Sequence, residues 1–270
     1  VARLPQAPPP SNEAAVTAAR ARIFAGTSGW AYPAWKPTFY PDRTPAKRFL
    51  EFYSRQLNSV EVNYTFRAFP TVATLEGWLA ATPDFFRFSF KAPQRITHIK
   101  RLVNCESDVA YFVSVLEVVR QAEKLGLLLF QLPPNFKADP ARLDSFLSSP
   151  ALNGPGAPRI AFEFRHESWF SPQFSDEIYA ILRAHNAALC IAESDDLASP
   201  EIHTASDFTS FRLRRTGAYT PEEIAAFVDR FAALSSSRDV FIYFKHEDEP
   251  TGALNAVSFL SGIAARKVHP

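Results

Sequence analysis

The sequence predicts an α/β protein built as a single (β/α)8 TIM barrel, and three observations carry that prediction. Eight short runs rich in β-branched and aromatic residues recur along the chain. Segments of helical period separate them, the alternation expected of repeated βα units around a parallel sheet. No GxGxxG or Walker sequence is present and the chain holds only nine glycines, which disfavours a doubly wound sheet with a phosphate-cradling loop.

The opening LPQAPPPSNEAA is proline-rich without apolar periodicity and reads as an extended N-terminal arm over residues 1–21, ahead of a barrel domain over 22–270. The first strand is IFAG from Ile23; helical period then runs from Ala46 to Leu57 and leads into SVEVN from Ser59. Thr71 to Ala81 precedes FRFSFK from Phe86, and Ser107 to Lys124 precedes GLLLFQ from Gly126. Asp139 to Ser148 leads to IAFEF from Ile160, and Ser175 to Ala184 to AALCIA from Ala187. Before TSFRLR, from Thr209, the stretch ESDDLASPEIHTASD is acidic and broken by Pro200, so the crossover between the sixth and seventh strands is predicted to be irregular. Pro221 to Leu234 leads to VFIYFK from Val240, and Gly252 to Ala264 ends the pattern. TPEEI at Thr220 has the N-cap threonine, first-turn proline and acids of a well-made helix start.

At 270 residues and 47% hydrophobic, the chain has material for one large core. A formal net charge of +1 supplies no global field for nucleic acid or an anionic membrane, so any basic site is local. Cys105 and Cys190 stand apart from each other and form no metal or redox motif, which fits a reducing compartment. With no apolar run of about 18 residues and no basic-then-apolar leader, the expected location is cytoplasmic, without a membrane partner.

Parity along the strands points to a site. Successive side chains face opposite sides, and polar residues share one side late in five runs. Glu61 and Asn63 alternate with Val60 and Val62, Ser89 and Lys91 with Phe88 and Phe90, and Glu163 and Arg165 with Phe162 and Phe164. Arg212 with Arg214, and Tyr243 with Lys245, repeat the split. The polar side is expected to face the barrel axis, at the carboxyl ends where barrel enzymes build their sites. A second reading stands beside it: stacked ion pairs, Glu163 with Arg165 and Glu61 with Lys91, that only fill the axis.

The βα loops add candidates. GTSGWAY offers Ser28 and backbone N–H groups to an anion, or serves a tight turn. His98 and His166 sit where a general acid or base is placed, and equally where a capping histidine sits. Gln131 lies at the rim before the rigid LPP turn, and Trp30 and Trp169 offer faces to a ligand or to neighbouring loops. His98, His166 and His246 come from separate strands without HxH or HExxH spacing, and cationic neighbours oppose a divalent ion; neither metal nor other cofactor is expected.

Six ordered stretches resemble the YecE-like family, domain of unknown function 72: GTSGWAYPAWKPTFYP at Gly26, FYSRQLNSVEVNYTFRAFP at Phe52, FRFSFKAPQRITH at Phe86, LGLLLFQLPPNF at Leu125, FEFRHESWF at Phe162 and YFKHEDEPTGALNA at Tyr243. The resemblance implies a TIM barrel and no defined chemistry. Many members of that family carry a histidine and a glycine directly after the arginine of the seventh strand, where this chain has Arg214 and Arg215.

The leading functional expectation is a barrel that binds or processes a small anionic ligand, phosphorylated or carboxylated. Lys91, Arg165, Arg212 and Lys245 would hold the anion, with Ser28, Trp30, Asn63, His98, Gln131 and Trp169 as further contacts. Glu163 and Glu61, with His166, would supply acid and base. The alternatives are a barrel that binds or hydrolyses nucleic acid through the same cations, and a non-catalytic binding or scaffold protein.

Overall fold

In the computed structural model, which describes residues 23–154, 156–245 and 249–268, the eight predicted runs form eight strands. They are β1 Ile23–Thr27, β2 Ser59–Val62, β3 Arg87–Lys91, β4 Leu125–Gln131, β5 Ile160–Glu163, β6 Ala188–Glu193, β7 Phe208–Leu213 and β8 Asp239–Phe244. All recorded pairings are parallel, and the sheet order β1-β8-β7-β6-β5-β4-β3-β2 is that of a (β/α)8 barrel. The arm expected over residues 1–21 lies outside the described residues, as does His246.

Helices follow the predicted segments. Thr220 caps the helix Pro221–Leu234 through a full capping box, its side chain accepting from the Glu223 N–H while the Glu223 carboxylate accepts from the Thr220 N–H. The segment predicted as one helix over 107–124 is two, Glu106–Val115 and Glu117–Gln121, broken at Leu116. Between β6 and β7 no helix occurs among the described residues, as the broken sequence there requires. A five-residue π-helix, Arg95–Ile99, follows β3; its span is too short to give a periodic signal. Among the described residues no helix is long and apolar enough to cross a membrane.

Parity sorts the core as expected. Val60, Val62, Phe88, Phe90, Phe162, Ile242 and Phe244 face outward into the cluster they share with helix residues such as Tyr53, Phe112 and Phe259. The axial side carries a second cluster, with Phe24, Leu127, Leu129, Phe208 and Phe241 toward its floor, where the Phe24 and Phe241 rings stack 4.8 Å apart. Above it the Tyr243 hydroxyl donates to Ser89 Oγ at 2.6 Å and lies 2.8 Å from Ser59 Oγ.

One seam is built differently. Between β1 and β2 the side chain of Asn58 replaces ladder bonds: its Oδ1 accepts from Ala25 N at 2.7 Å and its Nδ2 donates to Ile23 O at 2.8 Å. The Tyr53 hydroxyl accepts from Thr27 N at 2.8 Å and donates to Ser59 O at 3.0 Å, bridging the same two strands. The strands approach so closely that a Cβ at Gly26 would fall 1.8 Å from Ser59 O, which is why glycine occupies that position.

Candidate functional site

The top axial layer is a buried charge network centred on β7. Arg212 is 2% exposed and forks between two carboxylates: one guanidinium nitrogen hydrogen-bonds Glu163 Oε2 and the other donates to Glu61 Oε1 at 2.7 Å. Gln131 Nε2 donates to Glu163 Oε1 at 2.9 Å, and Ser28 Oγ donates to Glu61 Oε1 at 2.8 Å. Each buried carboxylate thus has a cation and a neutral donor, the arrangement that makes burial of charge tolerable.

The electrostatics follow from that geometry. Burial opposes the Glu163 charge, but Arg212, Arg214 and the Gln131 donor outweigh it and hold its pKa below the usual range. Burial likewise opposes the charge on Arg212, and Glu163 with Glu61 overcomes it, raising its pKa. The ion pairs that the strand pattern offered, Glu163 with Arg165 and Glu61 with Lys91, are therefore replaced by one arginine serving both acids, because Arg212 reaches across the axis while the other cations sit a step higher.

That higher step holds Lys91, Arg165, Arg214 and His98, all partly exposed. Arg214 Nη1 lies 3.8 Å from Glu163 Oε1, and Arg165 Nη2 lies 3.7 Å from Asp196, whose side chain is 84% exposed. Lys91 Nζ sits 4.3 Å from the centroid of the Phe66 ring. Burial first, then Arg212, with Arg214 adding to them, push its pKa down to about 8 against the opposing pull of Glu61 and Glu163. Burial, with Lys91 and Arg165 behind it, lowers the pKa of His98, whose Nδ1 is 2.8 Å from Thr97 Oγ1 and whose ring meets Phe66 edge-on at 4.9 Å.

Several expected contacts have other employment. His166 caps the short helix Glu167–Phe170, its Nδ1 accepting from Ser168 N at 3.1 Å, so it is tied to the backbone rather than poised as a base. Trp169 is fully buried, stacked on Phe164 at 4.2 Å with its N–H donating to Phe136 O, and presents no face to the mouth. Trp30 packs edge-on against Trp78 at 5.0 Å. Lys245 lines a small cavity of about 20 Å³ with Arg215, Tyr219 and Gly252, between β7, β8 and the helix Thr251–Val268. Asn63 Nδ2 donates to Ser28 O at 3.2 Å, while its buried Oδ1 has no partner among the described residues. Arg214, which strand parity selects together with Arg212, and Phe66, a loop aromatic under the Lys91 ammonium, join the mouth as well; nothing in the sequence pairs Phe66 with Lys91. Among the described residues no group of three or more His, Cys, Asp or Glu side chains is placed to hold a metal ion.

Comparison with known proteins agrees with this architecture. A family model described as protein of unknown function DUF72 matches residues 24–269. UPF0759 protein YunF of Bacillus subtilis (strain 168) is 27% identical over 186 residues, covering 67% of this chain and 64% of that protein. UPF0759 protein YecE of Escherichia coli (strain K12) is 32% identical over 152 residues, 55% of this chain and 50% of the relative. The matches therefore span about half to two thirds of these relatives' length. The crystal structure of a DUF72 family protein from Thermotoga maritima MSB8 superposes with a TM-score of 0.75 at 23% identity, over 92% of this chain and 100% of that one. One from Enterococcus faecalis V583 gives 0.68 at 19%, over 88% and 96%. Both likenesses speak to the fold.

Proposed function

The chain belongs to the DUF72 family, and we propose that its barrel mouth binds a small anionic ligand through Lys91, Arg165 and Arg214. The observation that carries this reading is a charge imbalance between two adjacent layers. Glu61 and Glu163 are both engaged by Arg212 below, so the cations above them have only residual carboxylate to face. Arg214 reaches a Glu163 that already accepts two other hydrogen bonds, Arg165 has a long contact to an exposed acid worth little in water, and Lys91 has a phenyl ring. Such a cluster costs free energy until an anion neutralises it. Asn63 Oδ1 adds an acceptor for a ligand hydroxyl or N–H. Arg212 is the frame of this site rather than its anion clamp, and Glu61 and Glu163 hold the frame.

The test is thermal. Sulfate or phosphate is expected to raise the melting temperature, since a ligand at about 100 times its Kd stabilises by roughly 2.7 kcal/mol. The Arg165→Ala/Arg214→Ala protein is expected to lose the shift. If it keeps the whole shift, the anion sits elsewhere.

A further inference from the structure

Two buried or partly buried lysines allow a comparison. Lys124 is 5% exposed, and its ammonium donates to Leu79 O at 2.9 Å, Thr82 O at 2.7 Å and Thr82 Oγ1 at 3.3 Å, the full satisfaction expected of a structural lysine. Lys91 has none of this. Among the described residues its ammonium makes no hydrogen bond and no ion pair; it rests over Phe66, with Arg212 and Arg214 of β7, Glu61 of β2, Glu163 of β5 and His98 of the π-helix as its charged or titratable surroundings. It also ends β3 at the barrel's carboxyl face, the position from which barrel strands present reacting groups.

We infer that Lys91 is the nucleophile of a carbonyl site: its Nζ forms an imine with the oxo group of a small 2-oxo acid whose carboxylate is held by Arg165 and Arg214. The inference rests on the anion-binding reading of the mouth. It changes one part of that reading: Lys91 acts as the neutral amine, and Arg165 and Arg214 are left to hold the carboxylate. The neutral amine attacks the carbonyl carbon; the N–C bond forms as the C=O π pair moves to oxygen, nitrogen releases one proton to water and oxygen takes one. Loss of that oxygen as water, with nitrogen's second proton making up the balance, leaves the imine, so amine and ketone give imine and water with no oxidant or reductant. With its pKa near 8, about a tenth of Lys91 is neutral at pH 7, roughly 200-fold more than an ordinary lysine with a pKa of about 10.4. A carboxylate next to the reacting carbonyl matches a mouth in which arginines adjoin the amine.

The experiment uses the full chain at pH 7.5, incubated with pyruvate and sodium cyanoborohydride, then digested and mapped by mass spectrometry. The expected result is a reduced adduct on Lys91 formed at least tenfold faster than on any other lysine, and absent in Lys91→Arg and Lys91→Met. A parallel arm replaces pyruvate with butanone, a ketone without the carboxylate; the preference for Lys91 over the other lysines is expected to be smaller than with pyruvate. An equal or greater preference for Lys91 with butanone overturns the 2-oxo acid assignment, and pyruvate adducts spread evenly over the lysines overturn the nucleophile. Failure to label Lys91 in a protein that still shows the Arg165- and Arg214-dependent sulfate shift overturns the imine alone. Failure of labelling and shift together overturns the mouth as well.

Discussion

Arg212 decides how the acids of this barrel are to be read. Two carboxylates and a guanidinium, each no more than 3% exposed, are joined by charge-assisted bonds through both terminal guanidinium nitrogens, while Arg212 Nε has no partner among the described residues. Removing one partner strands the others. Glu163→Gln is expected to destabilise the protein by about 3 to 5 kcal/mol, because breaking a buried pair leaves an uncompensated charge; urea unfolding measures it, and a loss under about 1 kcal/mol would show that the acid is not part of the frame. Lys91 behaves in the opposite way. Its pKa is lowered on folding, so between about pH 8 and the usual lysine value the unfolded chain binds the extra proton and stability rises with pH. Lys91→Met is expected to be more stable than wild type at pH 7 and to lose that rise. Equal stability of the two proteins at pH 7 and pH 10 would show that Lys91 carries no such strain. A residue that weakens its own fold in this way is a candidate for function, since structural positions relax by substitution.

Among the elements, the joint between β1 and β2 differs in kind from the other seams. Elsewhere parallel backbone ladders join the strands, as in the six-residue register of β7 with β8. At β1 and β2 the Asn58 amide and the Tyr53 hydroxyl supply the bonds, and Gly26 supplies the room. Asn58→Ala leaves Ala25 N and Ile23 O buried without partners and is expected to cost about 1 to 3 kcal/mol for each group. Native-state hydrogen exchange checks the location: the amide of Ala25 should lose protection before those of β7 and β8, and uniform loss across the barrel would refute a local seam.

For the whole molecule, a net charge of +1 means that the cations of the mouth are a local cluster on a nearly neutral body. A ligand with one or two anionic groups then sees a shallow salt dependence, whereas a single-stranded nucleic acid laid along a basic face gives a log–log slope of about −0.7 for each phosphate neutralised. Titration with a single-stranded oligonucleotide is expected to show either no binding near 0.15 M salt or a slope shallower than about −2. A slope corresponding to about six or more phosphates would restore the nucleic-acid reading.

The alternation of eight apolar runs with helical segments determined the barrel by itself, because period and capping are local properties; the capping box at Thr220 and the helix-free crossover before β7 were legible for the same reason. Within the strands parity also determined which residues reach the axis, since side-chain direction there is set by the backbone alone; Lys245, past the end of β8, instead lines the cavity beside the helix Thr251–Val268. Partnership was not legible. Whether Glu163 meets Arg165 two residues away or Arg212 across the barrel depends on the relative height of strands in the closed sheet, a quantity no single strand contains. The same holds for Trp169, whose loop position resembled a ligand platform until Phe164 and Phe136 enclosed it, and for His166, which its own backbone turn engaged. Only the tertiary structure, by stacking Arg212 between two acids and leaving Lys91 above them over Phe66, separated the charges that hold the barrel from those that face its mouth.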